Sequence, residues 1–149
     1  MDTRKTERHW SAENETMVEE STRDHFIDVA SRRMALHKIG VNLRGDKGAF
    51  FDAGCSTGWL LDDVKDTFPN VIAVGADAFL SGLRKIRDRR PGSFVVQFDL
   101  CRAPFPDGAF DAIACLNVLE HIDDDVSAMR EIRRMLKPGG TAFLMVPAG

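Results

Sequence analysis

The sequence predicts an α/β domain built on a doubly wound parallel sheet, and three observations predict it. Short apolar runs of strand length alternate with amphipathic segments of helix length from Ala49 to Val146, the pattern of parallel strands joined by right-handed crossovers. Four stretches rich in Gly, Asp, Asn and His (Gly54–Gly58, Asp77, Asp99 and Asn117–His121) each follow such an apolar run. In an open parallel sheet that is the end at which ligands sit. The chain has 149 residues, enough for one domain that buries roughly 70% of its unfolded surface.

Composition bounds the function. With 44% hydrophobic and 29% charged residues and a formal charge of −3, nothing points to a broad nucleic-acid or anionic-membrane footprint. No apolar run approaches the length of a membrane span, and Met1–Ser11 is polar and charged, unlike a secretory leader. Cys55, Cys101 and Cys115 form no Cys-x-x-Cys pair and read as reduced thiols of a cytoplasmic protein.

The elements follow in order. Residues 1–14 are charged and aperiodic and read as a loose arm. Residues 15–40 carry no Pro and no Gly before Gly40, which predicts a helix with Phe26, Ile27, Ala30 and Met34 on its apolar face. We read it as a lid packed on the domain; in the alternative, functional reading its aromatic residue and His25 help close a pocket, and His9, His25 and His37 otherwise read as solvent-facing or helix residues. The core spans 48–147. In Ala49-Phe50-Phe51-Asp52-Ala53-Gly54-Cys55-Ser56-Thr57-Gly58-Trp59-Leu60-Leu61 an apolar run ends in an acid and a glycine-bounded turn, then opens an amphipathic segment. This is a buried strand, a tight loop and a helix N-terminus. Glycines there let backbone approach a ligand closely, and the helix offers free N–H groups and the positive end of its dipole.

Leu61, Val64 and Phe68 make the stripe of that helix, which ends before Pro69. Val71–Ala76 is a second strand closed by Asp77. Phe79–Arg90 is a helix with Leu83 and Ile86 inward and its arginines on a solvated face. Ser93–Phe98 is a third strand, followed by Asp99 and a proline-rich loop, Cys101–Gly108. Phe110–Leu116 is a fourth strand. Asp123, Asp124 and Asp125 start a helix that buries Val126, Met129, Ile132 and Leu136. Lys137-Pro138-Gly139-Gly140 stops it, and Thr141–Val146 is a fifth strand.

Asp77 lies 19 positions past Gly58, where an acid can accept both hydroxyls of a ribose; the plain alternative is a surface Asp that caps the next helix. A nicotinamide fingerprint asks for G-x-G-x-x-G, and from Gly54 onward Ser56 and Trp59 stand at the other two places. A phosphate-binding P-loop is excluded, because no Gly-Lys-Ser/Thr follows.

Taken together, Phe51–Gly58, Val74–Asp77, Phe98–Leu100, Pro104–Asp111, Asn117–Ile122 and Leu136–Gly140 resemble, in order and spacing, the successive motifs of class I S-adenosylmethionine-dependent methyltransferases of the type 11 group. The resemblance implies a Rossmann-like sheet of five strands in the order 3-2-1-4-5, with helices on both faces. It implies S-adenosylmethionine as cofactor and methyl transfer to a small-molecule acceptor. Carried over by position, Asp52 and Gly54 hold the methionyl end of the cofactor, and Ala53, Cys55, Ser56 and Gly58 of the same loop are cofactor-binding. Asp77 takes the ribose, Phe79 flanks the adenine with Ala78 beside it among the cofactor-binding residues, Asp99 accepts from the adenine amino group with a backbone contact from Leu100, and backbone at Asn117 lines the methionyl pocket. Three carboxylates suit a cationic sulfonium ligand better than a pyrophosphate. His121 is the best-placed general base, with Glu120 beside it, against the alternative that it packs or caps the following helix. Related enzymes of quinone pathways use an acid-x-x-Glu-His cluster to hold a metal; Asn117 replaces the first acid here, so no metal is expected.

Two departures from the family pattern stand out. Ser56 occupies the usual place of the middle glycine, where a positive φ would cost a Cβ on the order of 1 kcal/mol. The family continues past the fifth strand, whereas this sequence stops at Gly149. The apolar fifth strand would then be an edge, which predicts a homodimer paired along it or a piece of a longer protein. The competing functional expectation is a cofactor-binding or dimerising module without turnover.

Overall fold

The computed structural model describes residues 23–147. Helix α1 (Phe26–Ile39) leads to strand β1 (Ala49–Ala53), followed by α2 (Trp59–Thr67), β2 (Ile72–Asp77), α3 (Leu80–Arg89), β3 (Phe94–Gln97), β4 (Phe110–Leu116), α4 (Asp125–Met135) and β5 (Leu136–Met145). Short 3-10 turns cover Leu100–Arg102 and Leu119–His121. The five strands lie in the order β3-β2-β1-β4-β5, every pair parallel, as expected. The reversal of strand order falls between β1 and β4, so the crevice beyond their carboxyl ends is the natural ligand site.

Alternation along β1 explains why both faces are covered. Phe50 enters one core with Ala35, Ile39, Leu61, Val64, Leu83 and Ile86 from α1, α2 and α3. Phe51 enters the other with Ile132 and Met135 of α4. Both phenylalanines are fully buried, worth about 1.5–3 kcal/mol each in transfer terms. Around Phe51 the rings of Phe98, Phe105 and Phe110 stack or meet edge-on at centroid distances of 5.0–6.1 Å. That cluster gives the proline-rich loop its seat.

Four expectations are corrected. In α1 the buried residues are Ser31, Ala35 and Ile39, while Phe26, Ile27 and Met34 are 75%, 53% and 55% exposed. The helix is short-stemmed toward the sheet because Ala35 allows close approach, and the bulky residues turn outward. The helix begins at Phe26 among described residues; the part predicted for 15–22, like the arm at 1–14, lies outside them. In α4 the buried face is Ala128, Ile132 and Met135, with Val126 and Met129 exposed.

The third correction concerns Lys137–Gly140. These residues stop α4, yet they belong to β5, which starts at Leu136. Phe110 pairs with Leu136 and Ala112 with Thr141, so the four residues form a bulge. Asp111 fastens that bulge: its Oδ2 accepts from Lys137 Nζ and from the Ala49 amide, both at 2.8 Å. Fourth, of Arg84, Arg87, Arg89 and Arg90, all but Arg84 have partners among the described residues and are not simply solvated. Arg87 donates to the Val95 carbonyl, Arg90 pairs with Asp62 and Asp66, and Arg89 reaches Thr57 and Asp62.

The proline-rich loop is pinned by Arg134 of α4, which donates to the carbonyls of Ala103 and Phe105 and to Asp107, while Glu131 holds both the guanidinium and the Ala103 amide. No described helix is long and apolar enough to cross a membrane.

Candidate cofactor site

The site is built on Asp52. It stands one residue before the end of β1, paired with Gly75 of β2 and Ala114 of β4. Asp52 is 4% exposed. No described residue hydrogen-bonds its carboxylate, yet neither oxygen is counted among the fully enclosed unpartnered atoms, so the group keeps a thread of access to the mouth. Burial, with the nearby charge of Asp77 adding to it, pushes Asp52 up to about 7. A buried acid without a partner is costly, and a cation at the mouth would relieve that cost.

The loop after β1 is shaped by contacts on each residue. The amides of Gly54 and Cys55 both donate to the Ala76 carbonyl at 2.8 Å, tying the loop to β2. Gly54 has φ +76°, and a Cβ there would overlap the side chain of Val118. Gly58 has φ +80° and closes the loop through a 2.7 Å hydrogen bond to the Cys55 carbonyl. Ser56 does adopt a positive φ, +46°, the conformation in which its Cβ costs on the order of 1 kcal/mol. Its amide donates to Asp77 Oδ2 at 2.8 Å, which offsets part of that cost. Ala53 and Cys55 are buried; burial, then the charges of Asp52 and Asp77, push the Cys55 thiol well up, so it is no nucleophile.

Asp77 ends β2, and the Phe79 amide donates to its Oδ1 at 3.0 Å. The two backbone donors fix the orientation of the carboxylate, and Phe79 itself sits half-buried at the start of α3. The carbonyl of the exposed Ala78 accepts from Gln97. Asp99 caps the turn after β3 by accepting from the Cys101 amide at 2.9 Å, with Leu100 buried beneath.

Beyond β4, Asn117 has φ +54° and donates its amide to the Met145 carbonyl; this bend delivers Val118 onto Gly54. Glu120 and His121 follow on a 3-10 turn, Oε1 to Nε2 3.9 Å, both partly exposed. The structure thus joins Ser56, Asp77 and Phe79 through hydrogen bonds, ties Gly54 to Ala76 at the end of β2 and sets Asp52 near enough to Asp77 for their charges to repel, while topology brings Asp99, Asn117, Glu120 and His121 to the same sheet end. Sequence reasoning missed Val118, for which an apolar residue after a strand gives no signal, and Arg89, whose role depends on helix orientation.

Two cavities lie away from these carboxylates. A cavity of about 630 Å³ lies among α1, α2 and the end of α3, lined by Arg32, Trp59, Asp62 and Arg89, and another of about 560 Å³ involves Gly48, Asn70 and Lys137. Neither is lined by Asp52, Asp77 or Asp99. The convergence of buried and oriented carboxylates on strand ends is the more specific chemical signal.

Comparison with known proteins bears on the family and the fold. The family model described as "Methyltransferase domain" (Methyltransf_11) matches residues 51–144. A demethylmenaquinone methyltransferase of Roseiflexus sp. (strain RS-1) is 37% identical over 98 residues, 63% of this chain and 40% of the relative. A ubiquinone/menaquinone biosynthesis C-methyltransferase of Geobacter sulfurreducens is 30% identical over 148 residues, 85% of this chain and 57% of the relative. The chain therefore spans 40% and 57% of the length of these two curated relatives. Among solved structures, a putative S-adenosyl-L-methionine-dependent methyltransferase of Methanococcus maripaludis superposes with a TM-score of 0.75 at 19% identity, covering 89% of this chain and 62% of that one. Phosphoethanolamine N-methyltransferase 2 of Haemonchus contortus, in complex with S-adenosyl-L-methionine, gives 0.76 at 21%, covering 97% and 35%. These two likenesses show the shared fold.

Proposed function

The chain belongs to the S-adenosylmethionine-dependent methyltransferase domain family, and on that premise we propose that it binds S-adenosylmethionine at the β1–β4 mouth and transfers its methyl group to a small-molecule acceptor. The observation that carries the reading is Asp52, a carboxylate 4% exposed with no described partner, at the strand end where a cationic ligand would compensate it.

When bound, the cofactor supplies an electrophilic methyl on a sulfonium with a neutral leaving group. The protein's part is to bind, orient and exclude water. Asp52 and the loop from Ala53 through Cys55, Ser56 and Gly58 would hold the methionyl end. Asp77, pre-oriented by two backbone amides, would accept the ribose hydroxyls. Ala78, Phe79, Asp99 and Leu100 would surround the adenine, and Asn117 would line the pocket through its backbone. His121, with Glu120 beside it, would remove a proton from a hydroxyl acceptor; an acceptor without such a proton needs no base. Two relatives carry names of quinone-pathway methyltransferases, which makes phenolic and quinol-like compounds the first acceptors to assay.

Calorimetric titration with S-adenosylmethionine and S-adenosylhomocysteine tests the reading. Saturable heat with both, and label transfer to an acceptor, is expected; no heat at millimolar ligand would sink it. The second reading, binding without turnover, draws on the strained Ser56, and binding with no transfer across the acceptor panel would favour it. We also propose that two copies pair along β5, which among described residues pairs only with β4; a monomeric sedimentation profile would count against this.

A further inference from the structure

We infer that Arg89 is a positioning residue for the cofactor loop, the outer end of a three-residue stripe on α3 that holds Ser56, Thr57 and Gly58 in their bound-ready shape. The inference rests on reading Gly54–Gly58 as the cofactor loop. Gly82, Ile86 and Arg89 fall on one face of α3, at spacings of a single helical stripe. Each meets one loop residue. At Gly82 any Cβ would collide with the Ser56 carbonyl oxygen, so helix backbone and loop backbone touch there. At Gly58 a Cβ would lie 2.7 Å from Ile86 Cγ1, so Ile86 fills the space that the absent side chain leaves.

Arg89 completes the clasp. Its Nη2 donates to the Thr57 carbonyl at 2.6 Å, its Nε donates to Asp62 Oδ2 at 2.8 Å, and its guanidinium lies 4.1 Å from the Trp59 ring centroid. The planar fork thus serves a carbonyl, a carboxylate and an aromatic face at once, a set that lysine does not reproduce. The need for such a clasp lies at Ser56. A serine at φ +46° tends to relax to negative φ, which would swing its amide off Asp77 and withdraw both oriented groups from the mouth. Arg90, the next residue, pairs with Asp62 and Asp66 and shares the charge environment without a described hydrogen bond to the loop, so it serves as the control.

The test compares wild type, Arg89→Met, Arg90→Met, Ser56→Gly and the double variant Ser56→Gly/Arg89→Met. Methionine keeps an unbranched stem over Trp59 and removes the donors. With S-adenosylhomocysteine as titrant, Arg89→Met is expected to bind about tenfold more weakly, as for one lost charge-assisted hydrogen bond. Ser56→Gly should restore affinity in that background to within about threefold of wild type, because glycine needs no clasp to hold a positive φ. Arg90→Met should lower the melting temperature and leave affinity unchanged. Amide hydrogen exchange supplies a readout without ligand: the Ser56 amide should exchange about tenfold faster in Arg89→Met and at the wild-type rate in Arg90→Met. Wild-type affinity and Ser56 exchange in Arg89→Met would overturn the inference, as would a double variant that recovers nothing. If Arg89→Met does not fold, Arg89→Lys is read in the same way. A wild-type chain that binds no S-adenosylhomocysteine would sink the functional reading, while the exchange rates would still decide the role of Arg89.

Discussion

Replacing Asp52 by Asn should make the protein more stable and, at the same time, unable to bind its cofactor. The carboxyl titrates near 3.8 when unperturbed and is pushed to about 7 by burial and by Asp77. Below about pH 4 it is protonated in both folded and unfolded chains and costs nothing. Between about pH 4 and 7 the unfolded chain ionises it while the folded chain keeps the proton, so stability falls as pH rises, by about 1.4 kcal/mol per pH unit. Above the folded value the loss levels off near 4 kcal/mol, the three-unit difference converted. Asn is nearly isosteric and does not titrate. Urea denaturation of both proteins should give similar stabilities at about pH 4 and a variant more stable by about 4 kcal/mol at about pH 8. A difference that does not change with pH, or a variant less stable at pH 8, would refute the claim that this buried carboxylate lacks a partner in the ligand-free protein.

Further perturbations separate the cofactor cradle from the scaffold. Gly54→Ala sets a Cβ into Val118 at φ +76° and should destabilise by about 1–3 kcal/mol while abolishing calorimetric binding; retained affinity would remove the loop from the site. Lys137→Met takes a donor from Asp111, whose carboxyl is drawn up by burial yet held below its ordinary value by hydrogen bonds from Lys137 and the Ala49 amide. The stability that pair contributes is present above the ordinary carboxylate range and is lost as pH falls through the lowered value. Melting temperatures of Lys137→Met should therefore fall below wild type at neutral pH, with the gap narrowing in acid and cofactor affinity unchanged. His121→Ala should leave S-adenosylhomocysteine affinity intact and slow transfer to a hydroxyl acceptor by about 10²–10⁴-fold; undiminished turnover would return His121 to the surface.

Much of this architecture was legible in the residues. The strand–turn–helix at Phe50–Leu61 follows from apolar Phe50 and Phe51, the glycines and the stripe of α2, and those are local properties. The positions of Asp77 at the end of β2 and Asp99 in the turn after β3 were legible because the lengths of the apolar runs fix where each strand ends. What escaped was set by side-chain size and helix rotation. The apolar stripe Phe26, Ile27 and Met34 suggested the buried face of α1, but Ala35 allows close approach and turns that stripe outward. Val126 and Met129 misled on α4 in the same way, because Ala128 takes the contact.

The motifs most specific to the family turned out to be structural. The proline-rich loop is seated by Arg134 and by its own Phe105 against Phe51, Phe98 and Phe110, and Lys137–Gly140 bulges out of a strand around Asp111. Neither touches the cofactor loop among the described interactions. The oddity of Ser56, by contrast, was visible as a mismatch to the glycine pattern, and its physical cause became clear only from its φ and from the face of α3 behind it.

In the proposed complex a cation takes the place of a proton at the end of β1. Titration with S-adenosylmethionine at about pH 6, in buffers of different ionisation enthalpy, measures the protons exchanged on binding. Nearly one proton released per ligand is expected, since Asp52 titrating at about 7 is mostly protonated before binding and ionised after it. Binding with no proton released, or no binding at all, would contradict it.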